Sequence, residues 1–155
     1  AKRGITEGPR GIVMGSFTTS FADSGSARKH NIQHAASMIN GTKLSPGESF
    51  STSATISPIT EDNGYKTAGA YQDGKVIDSV GGGVCQISTT LYNAVLAAEL
   101  EVTERAEHSM TVSYVDVARD AAIAGDYKDF CFVKNTDDTI HIEGWATDSE
   151  QTCQI

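Results

Sequence analysis

The residue with the most chemistry to offer is Cys85, within GGGVCQISTTLYNAVLAAEL (81–100). A thiol becomes a strong nucleophile when its thiolate is stabilised. A helix N-terminus does this through free N–H groups and the positive end of its dipole. From Cys85 onward, Ile87, Leu91, Ala94, Val95 and Ala98 recur as one helical face, which predicts a buried amphipathic helix with Cys85 in its first turn. The glycines before it are unfavourable inside a helix and read as a turn. Gly82 and Gly83 leave space for a substrate and permit backbone geometries closed to other residues. The N–H groups of Cys85 and Gln86 are expected to point at a developing oxyanion. Ser88 and Thr89, three and four residues on, project from the same face and would line a cleft.

A cysteine nucleophile is usually paired with a base. Four histidines are present, and His108, opening HSMTVSY (108–114), follows the helix by a connection that can return it to Cys85. His30 and His34 fall in an earlier helix and His141 in a late strand. A carboxylate or amide would orient the imidazole, and Asp120 is the first candidate, with Asp126 behind it. Arg28, Lys29 and Arg119 offer positive charge for a substrate carboxylate, although Arg119 can equally pair with its neighbour Asp120. A competing reading keeps Cys85 inert, since free cysteine is among the most buried residue types and often serves as a small hydrophobe.

Other chemistries fall away. The glycines lack the lysine of a phosphate-binding loop and the spacing of a dinucleotide fingerprint, and no Cys-x-x-Cys or His-x-x-x-His pair suggests zinc, so neither metal nor cofactor is expected. A net charge of -8 and a pI near 4.8 argue against nucleic acid. No apolar run approaches the roughly 20 residues that span a bilayer. Cys131 and Cys153 share the last quarter of the chain, so three cysteines suggest one bridge and one free thiol if the protein is exported.

The elements that must position these groups follow from local pattern. Residues 1–10 read as a linker or expression remnant, 11–146 as one domain and 147–155 as a tail. A strand is expected over 11–21. A helix follows, capped by Ser24 or Ser26, with Ile32, Ala35, Ala36 and Ile39 on its inner face and Asn40-Gly41 at its end. A turn at 45–47 leads to a strand through Phe50, a loop over 57–64 and a hairpin over 65–80 around Asp73-Gly74. After the Cys85 helix, 101–105 and 110–115 look extended, and 129–134 with 139–146 make a last hairpin. The sum is α+β, a mostly antiparallel sheet with two main helices, the second starting at the glycine-rich turn that bears Cys85.

The stretches ARKHNIQHAASMINGTKLSPGESFS (27–51), GGGVCQISTTLYNAV (81–95), HSMTVSYV (108–115), RDAAI (119–123) and DFCFVKNTDDTIHI (129–142) resemble, in order and spacing, the VanW-like domain family. The resemblance covers about residues 15–145, and the block around Cys85 is long and specific. It implies that Cys85 and His108 match the family's cysteine and histidine. Arg119-Asp120 match its Arg-Asp pair, and Arg28 and Asn31 its Arg and Asn in the first helix. Cys131 and Cys153 lie outside that pattern. The family takes its name from a gene of vancomycin-resistance clusters, and its members are typically anchored outside the membrane of Gram-positive bacteria. The implied activity is L,D-transpeptidation, forming 3-3 peptidoglycan cross-links through a cysteine thioester. The implied partners are a donor tetrapeptide stem and an acceptor stem, with the membrane reached only through an anchor elsewhere. Two further readings stand beside it: a cysteine carboxypeptidase or endopeptidase with water as acceptor, and a non-catalytic module binding stem peptides or glycopeptide.

Overall fold

The computed structural model describes residues 13–22, 24–72, 75–107, 114–115, 119–123, 128–135, 137 and 139–155. In chain order the elements are β1 (Ser16–Ser20), α1 (Ser26–Ile39), β2 (Thr42–Leu44), β3 (Ser49–Ser51), α2 (Thr52–Ile56), a 3₁₀ turn (Glu61–Asn63), β4 (Thr67–Gln72), β5 (Lys75–Val80), α3 (Val84–Ala98), β6 (Glu101–Glu104), β7 (Cys131–Val133), β8 (Ile140–Ala146) and β9 (Glu150–Gln154). The fold class is α+β, as the alternation of patterns predicts. The strands divide into three antiparallel sheets, ordered β1-β9-β8-β2, β3-β7-β6 and β4-β5.

The core lies where the two longer helices meet the four-stranded sheet. On α3, Ile87, Leu91, Ala94 and Val95 are wholly buried, with Ala98 nearly so, which is the apolar face that the spacing predicts. The helix also buries Gln86, Ser88, Thr89, Thr90 and Asn93 on its other side. It is therefore enclosed almost all round, and its polar side must find partners. On α1, Ile32, Ala35, Ala36 and Ile39 face inward. The alanines let β8 approach closely: a Cβ added at Gly144 would lie 3.3 Å from the Ala36 carbonyl oxygen. The N-cap of α1 is Gly25 rather than Ser24 or Ser26, and the Ser24 hydroxyl accepts from Arg28 instead.

Three expectations are corrected by the strand order. The segments 129–134 and 139–146 do not form a hairpin, because β7 is flanked by β3 and β6 whereas β8 sits between β2 and β9. Residues 147–155 are no tail: β9 pairs with β1 and β8 and buries Gln151, Cys153 and Gln154. Its polar composition, EQTCQ, hides it from a hydrophobicity pattern. The expected bridge also fails. Cys131 on β7 and Cys153 on β9 stand in different sheets, and both thiols are free, as is Cys85. The five-residue α2 is missed for a different reason, since one turn of helix is too short to show periodicity. The expected strand over 110–115 lies largely outside the described residues, and Tyr114 and Val115 are not in a strand.

Candidate active site around Cys85

The glycine turn is built for contact between backbones. Gly83 caps α3 at φ +106°, in the left-handed region that favours glycine. Gly82 lies flush against β4, where an added Cβ would sit 2.5 Å from the carbonyl oxygens of Ala68 and Gly69. The space in front of Gly82 is thus filled by β4. Asn31, fully buried on α1, fastens the same turn. Its amide donates to the Lys66 carbonyl (2.8 Å) and the Gly82 carbonyl (2.9 Å), and its oxygen accepts from the Lys66 N–H (2.7 Å). Gln86 ties the start of α3 to β1 and α1. Its Nε2 donates to Thr19 Oγ1 and the Ser20 carbonyl, each at 2.8 Å, and its Oε1 accepts from Arg28 Nη1 at 2.9 Å. Asn31 and Gln86 are therefore occupied as anchors of the turn.

The polar side of α3 is met by residues 119–123, an irregular strap. Ser88 and Thr89 both donate to the Ala121 carbonyl, and the Ala121 N–H donates to Thr89 Oγ1 (2.9 Å). One turn further along, Asn93 donates to the Arg119 carbonyl and accepts from Arg119 Nε (2.9 and 2.8 Å). Ser88 and Thr89 are wholly buried and hold the strap rather than line an open cleft. Arg119 extends toward Phe17, its guanidinium carbon 5.8 Å from the ring centroid. Among the described residues Asp120 pairs with Arg105, not Arg119: Nη2 and Oδ1 are 3.6 Å apart, and Arg105 Nε also donates to the Asp120 carbonyl at 2.8 Å.

Cys85 is half-buried where the strap crosses the start of α3. Its Sγ lies 3.4 Å from the Ile123 carbonyl oxygen, to which the thiol can donate, and 3.5 Å from the Ile123 nitrogen, whose N–H points at the sulfur. Burial pushes the thiol pKa above its usual value. The Ile123 N–H, Lys128 and Arg28 pull the other way, while Asp120 adds to the rise. The dipole-stabilised thiolate expected from sequence is therefore not the resting state. The Gln86 N–H is spent on the Gly83 carbonyl at 3.0 Å, so it does not face an oxyanion. The Cys85 N–H finds no acceptor among the described residues. Tyr114 stands beside the thiol, its own pKa raised chiefly by burial, and its ring centroid lies 5.8 Å from the Arg28 guanidinium carbon.

Of the residues singled out from sequence, the structure brings Cys85, Ser88 and Thr89 against the strap that carries Arg119 and Asp120, while Arg28 contacts Ser24, Gln86 and the Tyr114 ring. His108 and Asp126 lie outside the described residues. His30 and His34 bond to the carbonyls of Gly64 and Asn63, each at 2.6 Å, and so hold the 3₁₀ turn. His141 is on β8, in register with Lys43. Sequence reasoning missed Ile123, Tyr114, Arg105 and Lys128, whose roles depend on contacts far apart in the chain. No group of three His, Cys, Asp or Glu residues able to hold a metal exists among the described residues.

A family model described as VanW like protein matches residues 27–155, which takes in α1, α3, the strap and β9. The chain belongs to the VanW-like family. Among curated proteins, this VanW-like chain is 38% identical over 119 residues to the "Uncharacterized protein YoaR" of Bacillus subtilis (strain 168), covering 77% of this chain and 39% of that protein. It is 33% identical over 78 residues to the "Vancomycin B-type resistance protein VanW" of Enterococcus faecalis (strain ATCC 700802 / V583), covering 50% of this chain and 28% of that one. The VanW-like chain thus spans well under half the length of either relative. No solved structure matches it. No helix among the described residues is long and apolar enough to cross a membrane.

Proposed function

We propose that this VanW-like domain is a cysteine L,D-transpeptidase that works on the outer side of the cytoplasmic membrane, facing the wall. The observation that carries the reading is the setting of Cys85: a half-buried thiol in the first turn of a rigidly anchored helix, with its own N–H uncommitted among the described residues and the Ile123 N–H aimed at its sulfur. The Cys85 N–H is a donor that an acyl-transfer site can turn on an oxyanion, and the Ile123 N–H at the sulfur favours the thiolate that attacks. Kinship to a protein named for vancomycin resistance supports a cell-wall setting.

The raised pKa of the thiol sets the order of events. A base must take the proton as the sulfur attacks, and His108 fills that role by resemblance to the family histidine. Cys85 Sγ bonds to the carbonyl carbon between the third stem residue and the terminal D-alanine. The C–N bond breaks, and the proton held by His108 passes to the departing amine, leaving a thioester. The side-chain amine of a second stem then attacks the thioester, His108 takes the amine proton, and the thiol is regenerated. Water in place of the amine turns the same steps into hydrolysis.

The specific observation on the other side is that Ile123 engages the sulfur as both donor and acceptor while burial keeps the thiol protonated. That favours, as a second reading, a module that binds stem peptides with Cys85 at rest. The deciding experiment incubates the native chain and Cys85→Ala with purified tetrapeptide-containing muropeptides and reads protein and products by mass spectrometry. A thioester adduct and a 3-3 linked dimer, both lost in the variant, establish transpeptidation. Trimmed tripeptide alone establishes hydrolysis, and folded protein with neither adduct nor product rejects both in favour of the binding module.

A further inference from the structure

The strap is fastened more loosely where it reaches Cys85. Asn93 takes the carbonyl and the side chain of Arg119, and Ser88 and Thr89 take both backbone groups of Ala121. Arg105 Nε donates to the Asp120 carbonyl, and the Ala122 N–H to the Ala106 carbonyl, each at 2.8 Å. Ile123 differs from all of these. Among the described residues its N–H and its carbonyl oxygen meet only the Cys85 sulfur, at 3.5 and 3.4 Å. Sulfur is a weak donor and a weak acceptor, so this end of the strap is lightly held.

The Ile123 oxygen also stands at the distance a substrate must reach. A reacting carbonyl carbon has to come within about 3–3.5 Å of its nucleophile. On the strap side of Sγ that shell is filled by the Ile123 oxygen. One proton keeps it there, since the thiol donates and the carbonyl accepts. With that proton gone, both atoms are acceptors and the contact becomes repulsive. The Ile123 N–H behaves in the opposite way, because a donor binds a charged acceptor more strongly. Rotation about the Cα–C bond of Ile123 satisfies both, carrying the carbonyl off and leaving the N–H and the buried side chain in place.

We propose that the Ile123 carbonyl is a gate on Cys85, shut while the thiol carries its proton and turned aside when that proton leaves. The proton passes to an imidazole base, or in alkali to hydroxide. Activation of the sulfur and access to it are then one event, and the resting thiol is shielded from electrophiles. The charged groups that act on the thiol set when this happens: Lys128 and Arg28 favour its ionisation and Asp120 opposes it, while the ionised sulfur bears in turn on Tyr114. The gate rests on the reading of Cys85 as a nucleophile and adds to it the way the sulfur is reached.

The test uses no wall peptide, so its outcome is separate from that of transpeptidation. Selenocysteine in place of Cys85 in the full chain keeps the shape but gives up its proton at a much lower pH, and the selenium NMR shift shows when. Residual dipolar couplings across the Ile123 carbonyl read its orientation directly. That orientation should change in step with ionisation of the selenium, while the Ala121 carbonyl, held by Ser88 and Thr89, keeps its own. In Cys85→Ser the hydroxyl retains its proton, and neither carbonyl should turn over the same pH range. The selenolate should also alkylate within about tenfold of the same chain unfolded in urea; a larger deficit means the strap still covers it and overturns the gate. A selenolate beneath an unmoved Ile123 carbonyl, or an equal turn in the serine variant, overturns it as well.

Discussion

At the scale of single residues, the thiol of Cys85 is governed by two opposed effects of one location. The first turn of α3 supplies an N–H with no acceptor among the described residues and nearby cations, yet enclosure by the strap withdraws the sulfur from water, and desolvation outweighs the attraction. Cys85 should accordingly react with iodoacetamide at pH 7 more slowly than free cysteine, and its rate should keep climbing with pH beyond the ordinary thiol range. Site-resolved labelling by mass spectrometry checks this, and fast labelling at neutral pH would refute it. Asn31 is the second decisive residue, because one buried amide bonds the Gly82 carbonyl of the glycine turn and both backbone groups of Lys66. Asn31→Ala leaves those backbone groups unpaired, and we expect a loss of about 3 kcal/mol in urea unfolding.

At the scale of elements, α3 and the strap form one unit. Ser88, Thr89 and Asn93 occupy the side of the helix away from its aliphatic face, and their bonds to Arg119 and Ala121 fix a segment that has no regular secondary structure of its own. Thr89→Val keeps the shape and removes the hydroxyl that serves both groups of Ala121, so it should cost roughly 1–3 kcal/mol. It should also speed hydrogen exchange at Ala121 while the amides in the middle of α3 stay protected; unchanged exchange in the strap would count against this coupling. The glycine turn is equally constrained. Gly82→Ala drives a methyl into two carbonyl oxygens of β4, and overpacking of that kind costs about 1–3 kcal/mol.

At the scale of the whole molecule, stability in alkali follows from what the core encloses. Cys153 is fully buried on β9, with its pKa pushed up from 9.0 to about 12 by burial, and Tyr65 is raised from 10.0 to about 12 for the same reason. The unfolded chain releases these protons earlier than the folded one. Stability is therefore complete below pH 9 and falls as pH rises toward about 12, by about 4 kcal/mol through Cys153 alone. Urea titrations at pH 7, 9 and 11 should show this decline, and it should be visibly shallower in Cys153→Ala. An identical slope in that variant would remove Cys153 from the account.

The two longer helices, their inner faces and the place of Cys85 could be read from the chain because helical periodicity is local, repeating every three or four residues through Ile87, Leu91, Ala94 and Ala98. The β4-β5 hairpin was legible for the same reason, with both strands close to one favoured turn. The VanW-like character was legible too, since it rests on the type and order of residues. Tertiary structure alone decided what the polar side of α3 meets. The partners of Asn93 and Cys85 on the strap are 26 and 38 residues away, and the same hydroxyls that could line a cleft instead bind Ala121. It also decided that Arg105 rather than Arg119 pairs with Asp120, and that the polar segment EQTCQ becomes a strand inside a sheet. Hydrogen-bond capacity is written in the residue type, but its partner and its desolvation are set by packing, and packing is a property of the folded chain.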